Sequence, residues 1–231
     1  MHATEQTQQS TLDHDTLCQT TPHSNSMTWL REATLPQNLV AVDIHDQHRS
    51  SIYSLLSFLL HKAPNRNVLD KVSSLSGGQN KIGEAVETLS ILSKKLDIKT
   101  IEREYHNLFI GVGRGELLPY ASFYMTGFLN EKPLANLRDD MKRIGISRSP
   151  NTSDPEDHIA SLCEMMSGII TNQFYSSLSL KEQNDFFATH LGPWARHFFD
   201  DLIAAEYSVF YAPVGSLGKA FIEIETEAFK F

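Results

Sequence analysis

The sequence predicts an all-α protein, a helical bundle of about nine to ten helices. Three observations predict it. Apolar residues recur at spacings of three and four through most of the chain, the period of a helix with one buried face. Alternating runs with a period of two are few, and no Asn-Gly hairpin turn occurs. Proline and glycine punctuate the periodic stretches, as at Pro64, Gly77-Gly78, Gly145 and Gly192-Pro193.

Residues 1–36 are rich in Gln, Thr, Ser and His, lack apolar periodicity, and are expected to form a disordered polar tail. An N-terminal helical subdomain is expected over 37–145. Its first helical pattern covers 38–62, carries Ile52, Tyr53, Leu55, Leu56, Leu59 and Leu60, and stops at Pro64. Shorter helices are expected over 67–75 and 82–96. Ile98, Ile101, Tyr105, Leu108 and Phe109 fall within an arc of about 100°, so 98–110 is the clearest amphipathic helix of this half. Gly111 suits its end. A glycine loop over 111–116, an aromatic connector over 119–124 and a helix over 133–144 closed by Gly145 follow. The polar stretch 146–153 is the expected linker or hinge. A C-terminal helical subdomain is expected over 154–231. Its helices are placed at 154 to about 175, at 180–191 and at 194–211; Pro213 to Gly218 interrupts, and a last helix lies within 219–231.

With 231 residues the chain can bury roughly 70% of its unfolded surface without staples. A net charge of −8 argues against a nucleic-acid partner, which would call for a basic patch. Two cysteines, Cys18 in the tail and Cys163 in a helix, give neither a disulfide framework nor a paired-cysteine zinc site. No run of about 20 apolar residues exists, so no membrane insertion is expected. A secretory signal is not visible either, and a cytoplasmic location is expected.

The stretch richest in chemistry is Asp154-Pro155-Glu156-Asp157-His158-Ile159. Asp154 suits a helix N-cap, Pro155 the first helical position, and Glu156 and Asp157 the positive end of the dipole. Those signals leave His158 unexplained. At about 100° per residue, Ile159, Leu162, Cys163, Met166, Ile169 and Ile170 share the core arc. Asp157 and Glu164 then lie together on the opposite side, with His158 at the boundary. The plain expectation is a capped, solvated helix start. The sharper one is an acidic lip beside an apolar groove, fitted to a basic, apolar ligand.

His45, Asp46 and His48 form the densest histidine cluster. They would suit a helical metal-dependent hydrolase, but further ligands and a His-Glu-x-x-His pattern are missing. Gly111-Val112-Gly113-Arg114-Gly115 has the glycines of a phosphate loop, yet follows a helix instead of a strand and lacks Gly-Lys-Ser/Thr. Cys163 falls on the apolar arc, a core position rather than a nucleophile. The residues assemble no enzyme. The aromatics Tyr105, Phe109, Tyr120, Phe123, Tyr124, Trp194, Phe198 and Phe199 belong to the core in the simplest account. Alternatively, some line a groove for an apolar segment of another chain.

Four stretches in order carry a family resemblance: Glu104-Tyr105-His106-Asn107-Leu108-Phe109-Ile110-Gly111, Leu118-Pro119-Tyr120-Ala121-Ser122-Phe123-Tyr124, Pro155-Glu156-Asp157-His158-Ile159 and His190-Leu191-Gly192-Pro193-Trp194-Ala195. Together they resemble the TorD/DmsD family of cytoplasmic molybdoenzyme chaperones, from about residue 40 to the C-terminus. Leu137-Arg138 followed by Gly145 also fits, whereas the long polar tail departs from the family pattern.

The resemblance implies a non-catalytic, all-helical chaperone, a monomer or a domain-swapped homodimer, with no resident cofactor. Weak guanine-nucleotide binding is associated with some members, and no motif here speaks for it. Its implied partner is the twin-arginine signal peptide of an apo-molybdoenzyme, in some members also the enzyme body. The chaperone assists molybdenum cofactor insertion and delays export until the client is folded. Trimethylamine N-oxide reductase, dimethyl sulfoxide reductase and formate dehydrogenase are all compatible clients. By position, the implied leader-contacting residues are Tyr105, Leu108, Phe109, Tyr120, Ser122, Asp157 and His158, with Glu164 added from its helix angle. Tyr105 and Tyr120 stand where some relatives have Trp, which changes the groove's shape. A twin-arginine leader pairs guanidiniums with an apolar stretch, and an acidic lip beside an apolar groove matches both. Rim ion pairs contribute only about 0–1 kcal/mol each, so apolar burial should dominate affinity. The alternatives are the metal-dependent hydrolase and a generic helical interaction module.

Overall fold

The computed structural model describes residues 43–148, 154–174 and 177–229. The expected disordered tail and most of the 146–153 hinge lie outside the described residues. Among the described residues there are ten α-helices and one π-helical turn, and the sole β feature is an isolated antiparallel bridge between Tyr120 and His158. The all-α expectation holds.

Most helix starts are written locally. Asp43 caps α1 (Ile44–His61), Asn65 caps α2 (Arg66–Ser73), Asn80 caps α3 (Lys81–Lys95) and Asp97 caps α4 (Ile98–Tyr105), each through its side chain. The amphipathic stretch starting at Ile98 does not stay α-helical to its end. It widens into a π-helical turn at His106–Ile110, closed by Gly111 at φ 61°. A side chain at Gly111 would collide with the Arg114 carbonyl, so glycine is required there. The expected aromatic connector contains a short helix, α5 (Ala121–Thr126), and α6 (Lys132–Ile144) ends on Gly145 in the left-handed region as expected.

The second half differs more from expectation. Helix α7 runs Ile159–Ile170, beginning five residues after Asp154 and ending well before Tyr175. Helix α8 (Leu180–His190) begins with a Ser179–Glu182 capping box. The expected helix over 194–211 is two elements. Helix α9 (Ala195–Ala204) stops, and α10 (Tyr211–Ala228) runs unbroken through the stretch expected to interrupt it. The physical reasons are visible. Pro213 is the third residue of α10, where its missing N–H removes no intrahelical bond. Gly218 faces the ring of Phe199 and Gly215 faces Ile203 and the Phe199 carbonyl, so these glycines let α9 and α10 approach closely. They are contact residues, not helix breakers.

Helix α1 packs on α7, and α10 packs on α9 and α3. The buried residues form a contiguous cluster that includes Tyr53, Trp194, Phe198, Phe199, Phe210, Tyr211 and Phe221. The candidate site lies where α5 and α7 begin.

Candidate functional site

Helices α5 and α7 start side by side, and each start is built by the other's segment. The Ala121 N–H donates to the Asp157 carbonyl at 2.9 Å, and the Ile159 N–H donates to the Pro119 carbonyl at 2.8 Å. The Asp157 carboxylate then accepts from the Ser122 N–H at 2.8 Å through Oδ2. Helix α5 has no side-chain cap of its own, so Asp157 acts as its cap from 35 residues away. His158 caps α7: its Nδ1 accepts from the Ala160 N–H at 3.1 Å. An accepting Nδ1 requires an unprotonated ring nitrogen. Burial, reinforced by the nearby His61, pushes the imidazole down to about 3 from its ordinary 6.5, so it stays neutral near pH 7.

Arg138 on α6 braces the turn before α7. Its guanidinium donates to Glu156 Oε2 from Nε at 3.1 Å and Nη2 at 2.8 Å. Burial would raise the Glu156 carboxyl, but the Arg138 hydrogen bonds outweigh it and hold the group below its usual range.

Aromatic rings border this junction. Tyr120 stands edge-on to His158 with centroids 5.1 Å apart. Tyr105 contacts Phe109 at 4.9 Å and Tyr211 at 5.8 Å. Its hydroxyl donates to the His61 carbonyl at 2.9 Å. Burial, followed by the charges of Asp154 and Asp157, pushes the Tyr120 hydroxyl up to about 12. Phe109 and Tyr120 are half-buried, and Ile110 and Val112, which follow, are exposed.

The acidic lip expected from the sequence is not a lip. Asp157 is 0% exposed, Glu156 4% and His158 5%. Helical spacing puts Asp157 and Glu164 together, but Asp157 precedes the helix. Glu164 sits half-buried about 7.5 Å along the axis from the helix start at Ile159, at 1.5 Å per residue. Nor does Asp154 cap α7, because His158 does. Leu108 and Ser122 are fully buried, and Tyr105 is nearly so. Two buried side-chain polar atoms at the junction, Ser122 Oγ and Asp157 Oδ1, have no hydrogen-bond partner among the described residues. An unsatisfied carboxylate oxygen in an enclosed position is costly, which makes this a place for an additional donor.

His61 has no signal in the sequence, and Arg138 and Glu104 stand there only as positions of the resemblance, with no role attached. Glu104 accepts from the N–H groups of Val209, Phe210 and Tyr211 at 2.8, 3.0 and 2.8 Å, and so starts α10. Only its place in the Glu104-Tyr105 motif hinted at a role. Of the histidine cluster, His45 and His48 are exposed, and Asp46 pairs with Arg49 at 2.7 Å. Among the described residues no group of three or more His, Cys, Asp or Glu is placed to hold a metal ion. Cys163 is fully buried in the core, which pushes its thiol up and away from nucleophilic use.

Residues 77–200 match the family model described as nitrate reductase delta subunit. The chain is 28% identical over 200 residues to the chaperone protein TorD of Vibrio cholerae serotype O1, covering 78% of this chain and 91% of the relative. It is also 28% identical over 203 residues to the chaperone protein TorD of Vibrio atlanticus, covering 79% and 94%. A crystal structure from Archaeoglobus fulgidus, described as a redox enzyme maturation protein, shares the fold. It superimposes with a TM-score of 0.50 at 22% identity, over 84% of this chain and 99% of that one. With more than half its length matched, and with relatives named as chaperones and not as enzymes, the chain belongs to the nitrate reductase delta subunit family, the family of the TorD chaperones.

Proposed function

We propose that this chain is a cytoplasmic chaperone that binds the twin-arginine leader of an apo-molybdoenzyme, assists cofactor insertion and delays export. Tyr105, Leu108, Phe109, Tyr120, Ser122, Asp157, His158 and Glu164 are the proposed binding region. The observation that carries this reading is the junction itself. It joins two orphaned buried polar atoms, Ser122 Oγ and Asp157 Oδ1, to half-buried aromatics and exposed Ile110 and Val112. Such a place gains from an incoming donor and an incoming apolar side chain together. Burial divides the roles. Leu108, Ser122, Asp157 and His158 shape the region, while Phe109 and Tyr120 are presented to a ligand. No helix among the described residues is long and apolar enough to cross a membrane, which suits a protein that acts before export. A monomer, or a dimer swapped about 146–153, serves this function equally.

Calorimetric titration with leader peptides of the host's molybdoenzymes tests the proposal. Micromolar or tighter binding is expected, and Phe109→Ala should weaken it about tenfold while the circular dichroism spectrum is kept. Failure of every leader to bind overturns the reading. Co-purification from the host would name the client and separate a leader chaperone from a generic interaction module.

A further inference from the structure

We infer that residues 29–42 of this chain, which precede the described fold, dock back onto an apolar groove between α1 and α2. The inference is independent of the leader-binding reading above.

Helix α1 carries more apolar surface than the core uses. Tyr53, Leu56, Leu59 and Leu60 are buried in the core. Beside them runs a second stripe at spacings of three and four: Ile44, His48, Ser51, Leu55 and Phe58. Ile44 is 55% exposed and Phe58 48%. From His48 to Phe58 the stripe forms one wall of a groove of about 770 Å³, a size that takes several apolar side chains. Val68 on α2 and Leu75 just after it line the other side, and Val86 of α3 completes it.

Composition, reach and charge point to the occupant. Apolar residues are sparse before Met27, and then Trp29, Leu30, Leu35, Leu39 and Val40 follow within twelve residues. Side chains of this kind gain by leaving water. The described chain starts at Asp43, the cap of α1. Leu55, midway along the groove, lies about 18 Å along the helix axis from Asp43 at 1.5 Å per residue. The fourteen residues 29–42 span about 21 Å even at the rise of a helix, and more if extended, so they reach it. A segment tethered so closely acts at a local concentration of roughly millimolar, and modest contacts then suffice. No carboxylate lines the groove, and its ammonium is that of Lys71. It therefore disfavours guanidiniums, whereas residues 32–42 contain Glu32 and neither Lys nor Arg. A second copy fits less well. A stable interface takes about 800 Å² from each partner, and only Phe58 and Leu75 among the apolar residues of this groove are exposed.

Trp29 reports the docking, because the other tryptophan, Trp194, is 1% exposed. Fluorescence and acrylamide quenching of the full chain are compared with those of Trp29→Phe, and the difference isolates Trp29. A synthetic peptide of residues 27–42 gives the undocked reference. In the full chain Trp29 should emit to the blue of the peptide and be quenched less. Phe58→Asp should move both readings to the peptide's values while the circular dichroism spectrum is kept. Leu75→Asp, on the other wall, should do the same, and it replaces Phe58→Asp if that variant fails to fold. If Trp29 in the full chain is as accessible as in the peptide, the groove is open to another protein and the inference is overturned. Protection that survives both substitutions places Trp29 elsewhere and also overturns it. Protection that vanishes on dilution, together with a dimer in gel filtration, assigns the groove to a second copy and overturns it too.

Discussion

Two carboxylates in this protein do the same mechanical task in different ways. Glu104 starts α10 and Asp157 starts α5, each from a distant part of the sequence. Glu104 spends both oxygens on three backbone donors within 3.0 Å, and nothing at that site is left over. Asp157 uses Oδ2 on Ser122 N and leaves Oδ1 enclosed without a partner, beside an equally unpartnered Ser122 Oγ. A saturated cap is an anchor. An unsaturated one marks a place where the fold keeps polar capacity in reserve, and here it lies against half-buried aromatics. Burial alone does not separate the two, since both residues are enclosed; the count of satisfied atoms does.

The largest break in this comparison should come from the anchor. Glu104→Ala strips three N–H groups of their charged acceptor, and urea unfolding should show a loss of about 4 kcal/mol. Asp157→Ala should cost less, about 2 kcal/mol, because one side-chain hydrogen bond is removed along with an already unsatisfied oxygen. Asp157→Asn, which keeps an acceptor for Ser122, should cost about half as much as Asp157→Ala. Equal losses for Glu104→Ala and Asp157→Ala would show that the spare oxygen is satisfied in solution.

The last effect concerns pH. His158 is held to about 3 in the folded protein against an ordinary 6.5. A group with a depressed folded value binds more protons when unfolded, so its contribution is complete above 6.5 and is lost as pH falls toward 3. One such group contributes at most about 1.4 kcal/mol per pH unit in that window. His158→Asn, still a competent N-cap, should flatten the decline of stability between about pH 6.5 and 5, before the carboxylates titrate. His61 and His190 are also lowered, chiefly by burial, so part of the slope should survive the substitution.

What was legible in the sequence was what is local. The helical period marked most helices, and the caps Asn65, Asn80, Asp97 and Ser179, although none was picked out, are equally local, one residue before the helix each starts. Gly145 stands at the end of the helix it closes. What stayed hidden depends on partners far along the chain. Helix α10 has no cap in its own neighbourhood, and Pro213, Gly215 and Gly218 looked like breakers because Phe199 and Ile203, which make them useful, lie on another helix. The Asp154 and Pro155 signal was a sound N-terminal pattern attached to the wrong residue. Helix α7 starts at Ile159 because Pro119 accepts its first N–H from a distant segment and His158, an uncommon N-cap residue, accepts the next. The site residues were found through motif order. Their burial, and hence their division into shaping and presented side chains, was not predictable from angles on a helix that does not extend over them.

The reciprocal pairing of Pro119–Ala121 with Asp157–Ile159 also governs how the molecule opens. Helix α5 is six residues long, too short to hold itself. Its first donors are protected only while the segment 35 residues later is in place. The amides of Ala121, Ser122 and Ile159 should therefore exchange with solvent hydrogen together, as one unit of local unfolding. Any ligand that closes on this junction should slow all three in step, at a rate set by this local opening and not by the core behind it.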